Sequence, residues 1–250
     1  MNRAELSRFV GVTGSSLGQV EKDYFQHILL SAISRHSAGE LVFKGGTALQ
    51  KMGYVDRFSE DLDFTASDPI DIERIIRISL KAVSRYNYSA SIDKMRSGED
   101  SSGFRLRIEG PLYRRGKGIC TIIMDISTRE TIILPPELRE YSPVYPNISS
   151  YILKNIALKE ILAEKIRAIM TRKRPRDLYD LSMLIKGGIE PDVSIVQKKM
   201  DYNNLRFDHE IFMKRVKDLE KSWRSEMDQL NDSGSGYHEC LNLVKKALES

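Results

Sequence analysis

The order of apolar and polar residues predicts a first half in which helices and short strands alternate. Residues 17–36 place Val20, Tyr24 and Ile28 at helical spacing, while short apolar or β-branched runs between turn residues predict strands. Asp68 followed by Pro69 predicts the start of another helix. The expected helices are 3–10, 17–36, 45–52 and 69–86, and the expected strands are 41–43, 61–65, 87–95, 103–109 and 119–127.

The second half of the chain has a different pattern, which predicts helices without strands. A stretch rich in proline and serine near 131–150 predicts the crossing into a second part, and from about residue 151 onward the pattern predicts helices alone. We therefore expect an α+β protein, in which a mixed β-sheet core with flanking helices at 1–135 precedes a helical C-terminal domain at 136–250. The expected helices are 152–171, 176–186, 191–200, 208–230 and 236–248, the last one after the flexible turn NDSGSG.

Composition narrows the class of protein. With 41% hydrophobic and 30% charged residues, the chain has the composition of an ordinary globular protein. Its net charge of +4 indicates a mild preference for polyanions. Cys120 and Cys240 are far apart, and the four histidines lack ligand spacing, so a reducing compartment fits and a zinc site is not expected. No apolar run approaches the roughly 20 residues of a membrane span, so a cytoplasmic protein is expected.

Two aspartates share one face of a predicted strand. Asp61 and Asp63 stand at i and i+2, while Leu62 and Phe64 alternate with them and point into the core. Neighbouring carboxylates repel each other, and a divalent cation such as Mg²⁺ would allow both to stay ionised. A solvated edge strand is the alternative, and the D-x-D pattern taken alone favours it because the pattern is common.

The residues around this pair favour a phosphate ligand. Gly45 and Gly46 lie between a strand and a helix, where bare backbone can approach a phosphate, and Thr47 adds a hydroxyl. Arg57 could neutralise phosphate charge, and Ser59 could bind phosphate or cap the turn. A plain tight turn, a surface arginine and a turn serine are the corresponding alternatives.

A third carboxylate interrupts a later apolar run. Asp125 stands in GICTIIMDISTRE on a predicted central strand, where a buried and unpaired aspartate would be costly. It is predicted either to complete a metal site with Asp61 and Asp63 across the sheet or to accept a hydrogen bond at the end of the strand.

These motifs together resemble a known family. The glycine pair at a strand-to-helix turn, the D-x-D strand and the later single aspartate resemble the DNA polymerase β-type nucleotidyltransferase superfamily. More narrowly, EKDYFQHILL, FKGGTALQKM, RFSEDLDF and LAEKIRAIMTRKRPRDLYDL resemble the AbiEii/AbiGii-type nucleotidyltransferase toxins. The matching stretches follow one another from about residue 20 to residue 186.

The resemblance implies a nucleotidyltransferase-type core and an enzyme that moves a nucleoside monophosphate from an NTP to an acceptor. Several family members are toxins of toxin–antitoxin or phage-defence pairs, and some modify the 3′ end of tRNA. The resemblance implies Mg²⁺ or Mn²⁺ at the carboxylates, with Asp125 near the attacking hydroxyl. The implied nucleotide-binding residues are Lys44, Gly45, Gly46, Thr47, Arg57 and Ser59, and the implied catalytic residues are Asp61, Asp63, Asp125, Lys165 and Asp177.

The helical motif can also be interpreted from its spacing. Lys165 lies near the centre of an apolar helix face, so its ammonium must either extend to solvent or meet an anion. In the next predicted helix, Asp177 lies at the edge of the apolar stripe and Asp180 lies further toward the polar side. Asp177 is therefore predicted to point inward and to orient Lys165 or contact the nucleotide; an acid favoured by the helix dipole is the alternative.

Two basic clusters favour RNA as the acceptor. They are exposed charge runs in the simplest interpretation, but on either side of a phosphotransfer site they would suit a polyanion. A small-molecule nucleotidyltransferase and a non-catalytic nucleotide- or RNA-binding protein stay open as alternatives. The candidate RNA-binding residues are Arg114, Arg115, Lys117, Arg172, Lys173, Arg174 and Arg176.

Overall fold

The computed structural model describes residues 1–37, 39–66, 70–97, 101–227 and 236–249, with side chains omitted at 93–97. The predicted cap at Asp68-Pro69 and most of the NDSGSG turn lie outside this part of the chain. The elements in chain order are α1 (Arg3–Ser7), α2 (Val10–Thr13), α3 (Leu17–His36), β1 (Leu41–Lys44), α4 (Gly45–Lys51), β2 (Leu62–Ala66), α5 (Ile72–Arg85), β3 (Ser89–Ser97), β4 (Ser101–Glu109), β5 (Cys120–Ser127), β6 (Glu137–Tyr141), β7 (Tyr151–Asn155), α6 (Leu158–Thr171), α7 (Pro175–Lys186), α8 (Val193–Asp201), α9 (His209–Asp218), α10 (Glu220–Met227) and α11 (Tyr237–Glu249).

The chain divides into two compact units. Unit 1 contains Met1–Ala48, Glu60–Ile132 and Pro136–Asn155, and unit 2 contains Leu49–Ser59, Ile133–Pro135 and Ile156–Ser250. The mixed sheet and the additional helices confirm the predicted α+β class.

Unit 1 is built on one seven-stranded sheet in the order β3-β4-β5-β2-β1-β7-β6. β2 pairs in parallel with β5 and antiparallel with β1, so the strands that carry the predicted site lie in the interior of the sheet. Alternate residues of β5 are buried, and the residues between them are partly exposed. One face of the central strands is therefore apolar core, and the other carries the polar side chains. Core residues from these strands are Leu62, Phe64, Phe104, Leu106, Met124 and Ile126.

The sequence interpretation was wrong for residues 151–155, which were predicted to be helical. These residues form β7, in which Tyr151, Leu153 and Asn155 are buried and the residues between them are exposed. This alternation is typical of a strand, but the segment is short and its leucine and lysine also favour a helix. Antiparallel pairing with β6 and parallel pairing with β1 at Phe43 decide the outcome. The predicted domains 1–135 and 136–250 stay a prediction, although 137–141 and 151–155 belong to the sheet.

Several helix bounds also differ from the prediction. In place of the first predicted helix, the structure has two short helices, α1 and α2. Helix α2 ends at Gly14, which has a left-handed φ of 66°. Helix α5 begins at Ile72, where the side chain of Asp71 accepts the N–H of Arg74 at 3.0 Å as the N-cap. The long helix predicted at 208–230 is interrupted at Leu219 between α9 and α10.

Unit 2 is helical and contains a buried charged group that fixes a connecting segment. Lys199 on α8 is fully buried, and its ammonium lies 2.7 Å from Glu160 and 3.0 Å from Glu164. The Glu160 carboxylate also accepts backbone N–H groups of Ile133 and Leu134. A buried charge requires such partners, so this group holds the 133–135 segment on α6. Within the described residues, no helix has the length and apolar character that a membrane span requires.

Candidate functional site

A row of three polar residues and one glycine crosses four neighbouring strands of unit 1. Lys44 on β1 pairs with Asp63 on β2, Asp63 pairs with Asp125 on β5, and Asp125 pairs with Gly103 on β4. Residues opposite each other on neighbouring strands point to the same face, with the strands about 4.8 Å apart. The sheet thus brings Asp63 and Asp125 together on one face, as their pattern predicted, and it adds Lys44 beside them.

A pocket of about 300 Å³ lies over this row. Both aspartates are half-buried, so they are shielded from bulk water without being sealed from a ligand. The lining residues are Lys44, Asp63, Phe64, Ser101, Gly103, Asp125, Ile126 and Ser127.

Two glycines make room for the two carboxylates. A Cβ at Gly45 would lie 2.3 Å from Oδ2 of Asp63, and a Cβ at Gly103 would lie 2.4 Å from Oδ1 of Asp125. Gly45 also has a φ of 77°, in the region where side chains are strained. The sequence interpretation missed Gly103, although a glycine inside a strand does indicate close approach by another group. Gly46 is buried in the first turn of α4.

Lys44 contacts a carboxylate that the sequence pattern did not predict. Its ammonium contacts the carboxylate of Glu130, and only 11% of the lysine side chain and 13% of the glutamate side chain are exposed. Glu130 stands at the end of GICTIIMDISTRE, and its N–H donates to Ser127 Oγ at 3.3 Å. The positive charge beside Asp63 is therefore held in place by an acid from the segment after β5.

Asp61 is not among the residues that line the pocket over Asp63 and Asp125. It precedes β2, which begins at Leu62, and it lines a neighbouring pocket with Lys22, Arg105 and Arg107. Thr47, predicted to hold phosphate, is fully buried, and its hydroxyl donates to the backbone carbonyl of Asp61. Thr47 thus fixes the turn that leads into β2.

The carboxylates fit a divalent cation as a pair. Among the described residues, no three aspartate, glutamate, histidine or cysteine side chains are arranged as a metal-ligand cluster. Mg²⁺, however, is bound in many enzymes through one or two carboxylates, with water and substrate phosphates as further ligands. Asp63 and Asp125, packed over glycines on adjacent strands, match that donor set.

Unit 2 contains a separate ionic network. Lys165 on α6 lies 3.1 Å from Asp177 and 2.6 Å from Asp180, both of which are fully buried on α7. Arg57 donates from Nε and Nη2 to the two oxygens of Asp180, at 2.6 Å each. The prediction that Asp180 lies toward the polar side of its helix was wrong, because Arg57 and Lys165 give this carboxylate partners inside the protein.

The charges in this network stabilise one another. Burial alone would lower the pKa of Lys165, but Asp180 and Asp177 outweigh it, so the pKa is raised. Burial likewise opposes ionisation of Asp177, yet Lys165 and Arg172 bring its pKa down to about 2. The predicted inward orientation of Asp177 toward Lys165 is present. The contacts of Arg57, which was predicted to bind phosphate, include this bidentate pair with Asp180.

The predicted basic residues are mostly exposed. Arg114 and Lys117 close a two-residue turn whose central residues, Arg115 and Gly116, have φ of 48° and 84°, as a type I′ hairpin requires. In unit 2, Arg172 donates to both oxygens of Asp177, at 2.8 and 2.9 Å. Lys173 and Arg174 are exposed, and Arg176 lies 3.7 Å from Glu226.

Ser59, which was predicted to bind phosphate or cap the turn, donates its backbone N–H to Gln50 Oε1 at 2.9 Å.

Comparison with known proteins shows the family and agrees with the fold. Residues 28–238 match the family model described as nucleotidyl transferase AbiEii toxin, type IV TA system. MenT4, a nucleotidyltransferase toxin from Mycobacterium tuberculosis H37Rv, is 20% identical over 100% of this chain and 98% of its own, with a TM-score of 0.62.

Two structures from Helicobacter pylori share the fold as well. A putative nucleotidyltransferase is 19% identical over 94% of this chain and 95% of its own, with a TM-score of 0.59. The protein JHP933 is 19% identical over 94% of this chain and 92% of its own, with a TM-score of 0.57. None of the curated protein sequences matches the chain.

Proposed function

Because the chain belongs to the AbiEii family of nucleotidyltransferase toxins of type IV toxin–antitoxin systems, it is a nucleotidyltransferase, and we propose that its acceptor is RNA. In this proposal an NTP supplies a nucleoside monophosphate, the 3′ end of tRNA receives it, and pyrophosphate leaves. An antitoxin encoded with the chain is the expected partner.

The observation that carries the proposal is the row Lys44–Asp63–Asp125. Two carboxylates on adjacent strands concentrate negative charge in a half-buried pocket, an arrangement that requires a cation when both are ionised. Asp63 and Asp125 are the residues that would hold Mg²⁺ or Mn²⁺, with Asp61 contributing from the adjacent turn. The bound ion would lower the pKa of the acceptor hydroxyl and neutralise charge on the phosphates.

The protein's own groups would then align the reactants. Lys44, Gly45 and Gly46 are proposed to hold the triphosphate, since the lysine ammonium lies in the same row as the aspartates. Asp125 accepts the proton of the acceptor hydroxyl, and the hydroxyl oxygen forms a bond to the α-phosphorus. The bond from that phosphorus to the bridging oxygen breaks in line, and the electron pair leaves with pyrophosphate.

The support for RNA is the exposed basic hairpin at Arg114–Lys117 in the unit that contains the aspartates. Lysine and arginine side chains in such positions neutralise phosphates without reading sequence. Lys173 and Arg174 on unit 2 are proposed to add contacts to RNA phosphates. Arg172 and Arg176 are proposed to contribute as well, although each has an acidic neighbour.

The test is a transfer assay. The pure protein is incubated with Mg²⁺, each labelled NTP in turn, and total tRNA, beside Asp63→Asn and the exposed control Asp201→Asn, whose side chain can still accept from Gln197. Label on RNA with the unchanged protein and the control, but not with Asp63→Asn, supports the proposal. Circular dichroism shows whether Asp63→Asn is folded.

The other outcomes separate the alternatives. Label on small hydroxyl compounds but not on RNA would favour a small-molecule nucleotidyltransferase. Binding of an NTP without transfer to any acceptor would favour a non-catalytic binding protein and would refute the proposed reaction.

A further inference from the structure

A second pocket lies on the same face of the sheet, one step along the strands from the aspartate row. It measures about 280 Å³, and its polar lining is Lys22, Glu60, Asp61, Arg105, Arg107 and Thr121. Arg105 pairs with Ile123 and Arg107 with Thr121, at two and four residues from the Gly103–Asp125 pair. Since side chains at i and i+2 share a face, the two arginines continue the surface that carries Asp125, with Arg105 about 7 Å along the strand from Gly103.

The charges of this pocket favour an anion. Three cationic side chains face two carboxylates, and one of those carboxylates, Glu60, pairs with Lys22 at 2.6 Å while 61% of its side chain is exposed. The other, Asp61, belongs to the proposed metal site. Arg105 is half-buried, Arg107 is exposed, and both line the pocket. Paired arginines suit phosphate because each presents several N–H donors in a fixed fork.

The position of the pocket indicates which phosphate it would take. The glycine turn follows β1, and the arginines stand on β4, with the two aspartate-bearing strands β2 and β5 between them. An in-line displacement needs the entering and leaving oxygens on opposite sides of the phosphorus. With the triphosphate at the glycine turn, the β4 side is left for the acceptor.

We propose that Arg105 and Arg107, with Lys22, bind a phosphate group of the acceptor and so place its hydroxyl beside Asp125. This inference rests on the proposed function for the identity of the reaction, but it concerns binding, which can be measured without catalysis. It assigns a phosphate-bearing acceptor to the pocket, whether that phosphate is a phosphodiester of RNA or belongs to a small phosphorylated compound.

The first experiment measures binding of a labelled single-stranded RNA oligonucleotide over a range of salt concentrations. The variants are Arg105→Gln with Arg107→Gln, the charge-preserving Arg105→Lys with Arg107→Lys, and Arg139→Gln on β6 as the control. Loss of two phosphate contacts is expected to reduce the slope of log affinity against log salt by about 1.4 and the affinity roughly tenfold. The lysine variant keeps most of the slope, and the control behaves like the unchanged protein.

The second experiment separates the acceptor from the nucleotide. In the transfer assay, the glutamine variant is expected to raise the acceptor KM roughly tenfold and to leave the NTP KM unchanged. A raised NTP KM with an unchanged acceptor KM would overturn the proposal. RNA binding equal to that of the control would also overturn it if the glutamine variant keeps the thermal shift with inorganic phosphate. A thermal shift with inorganic phosphate that the glutamine variant loses, without any change in RNA binding, would support a small phosphorylated acceptor.

These outcomes stay informative if the proposed reaction is wrong. RNA binding that depends on Arg105 and Arg107 in a protein without transferase activity would support the pocket and refute the reaction. Transfer to RNA that is unchanged when both arginines are replaced would refute the pocket and support the reaction.

Discussion

Replacing Gly45 by alanine is expected to displace the Asp63 carboxylate and thereby to abolish most of the transferase activity. The new Cβ would lie 2.3 Å from Asp63 Oδ2, where at least 3.0 Å is needed, so the carboxylate must retreat by about 0.7 Å or turn away. A misplacement near 1 Å in a catalytic site costs on the order of a hundredfold in rate, which is the loss we expect.

The same substitution also carries a backbone cost. Gly45 has a φ of 77°, and an alanine in the left-handed region costs roughly 1–2 kcal/mol. Gly53 separates the two effects, because it has the same φ of 77° but nothing within 4 Å of a built Cβ. Gly53→Ala should therefore lower the free energy of unfolding by a similar roughly 1–2 kcal/mol while leaving the transfer rate unchanged.

The assays are urea unfolding followed by circular dichroism and the initial rate of label transfer, on both variants and the unchanged protein. If Gly45→Ala keeps a rate within about twofold of that of Gly53→Ala, the carboxylate does not depend on the space left by Gly45, and the reasoning fails.

Three further changes test other contacts. Gly103→Ala, whose Cβ would lie 2.4 Å from the facing carboxylate on β5, should reduce transfer with little backbone strain; a normal rate would contradict the proposed site. Thr47→Val removes the hydroxyl that holds the turn before β2 and should cost about 1–2 kcal/mol in urea unfolding. Asp180→Asn leaves two buried cations short of a carboxylate and should cost about 3–5 kcal/mol, whereas Asp201→Asn should not. Because the pKa of Asp177 is lowered to about 2 from 3.8, its stabilisation is present above pH 3.8 and lost toward pH 2; melting temperature should fall in that window, and a flat profile would contradict this.

Local pattern predicted the elements that position the site. Helix α3 has the predicted bounds, and β1, α4 and β2 lie within a residue or so of their predicted positions. The apolar neighbours of Asp63 and Asp125 fixed which face each aspartate takes, because the side-chain period of a strand is two residues. The family resemblance was confirmed by the match over residues 28–238.

What the sequence could not predict depends on pairing over long separations. The burial of Asp180 follows from Arg57, a residue 123 positions earlier, and no helical periodicity contains that information. Gly103 and Glu130 join the site through strand register and through an ion pair that becomes visible only once the sheet is assembled. The short strands β6 and β7 were missed because a five-residue alternation in a proline-rich region fits more than one structure.

The two charged arrays differ in burial, and we expect them to serve different tasks. In unit 2, Asp180 is fully buried and only 3% of the Arg57 side chain is exposed, and Lys165 contacts Asp177 as well as Asp180. Breaking such a network leaves a buried charge without compensation, which makes it suited to holding segment 49–59 in the helical unit. In unit 1, Asp63 and Asp125 line an open pocket in half-buried positions, where their charge can act on a ligand. By this reasoning, Asp63→Asn should lose transfer with its fold intact, whereas Asp180→Asn should lose activity only in proportion to the protein that unfolds.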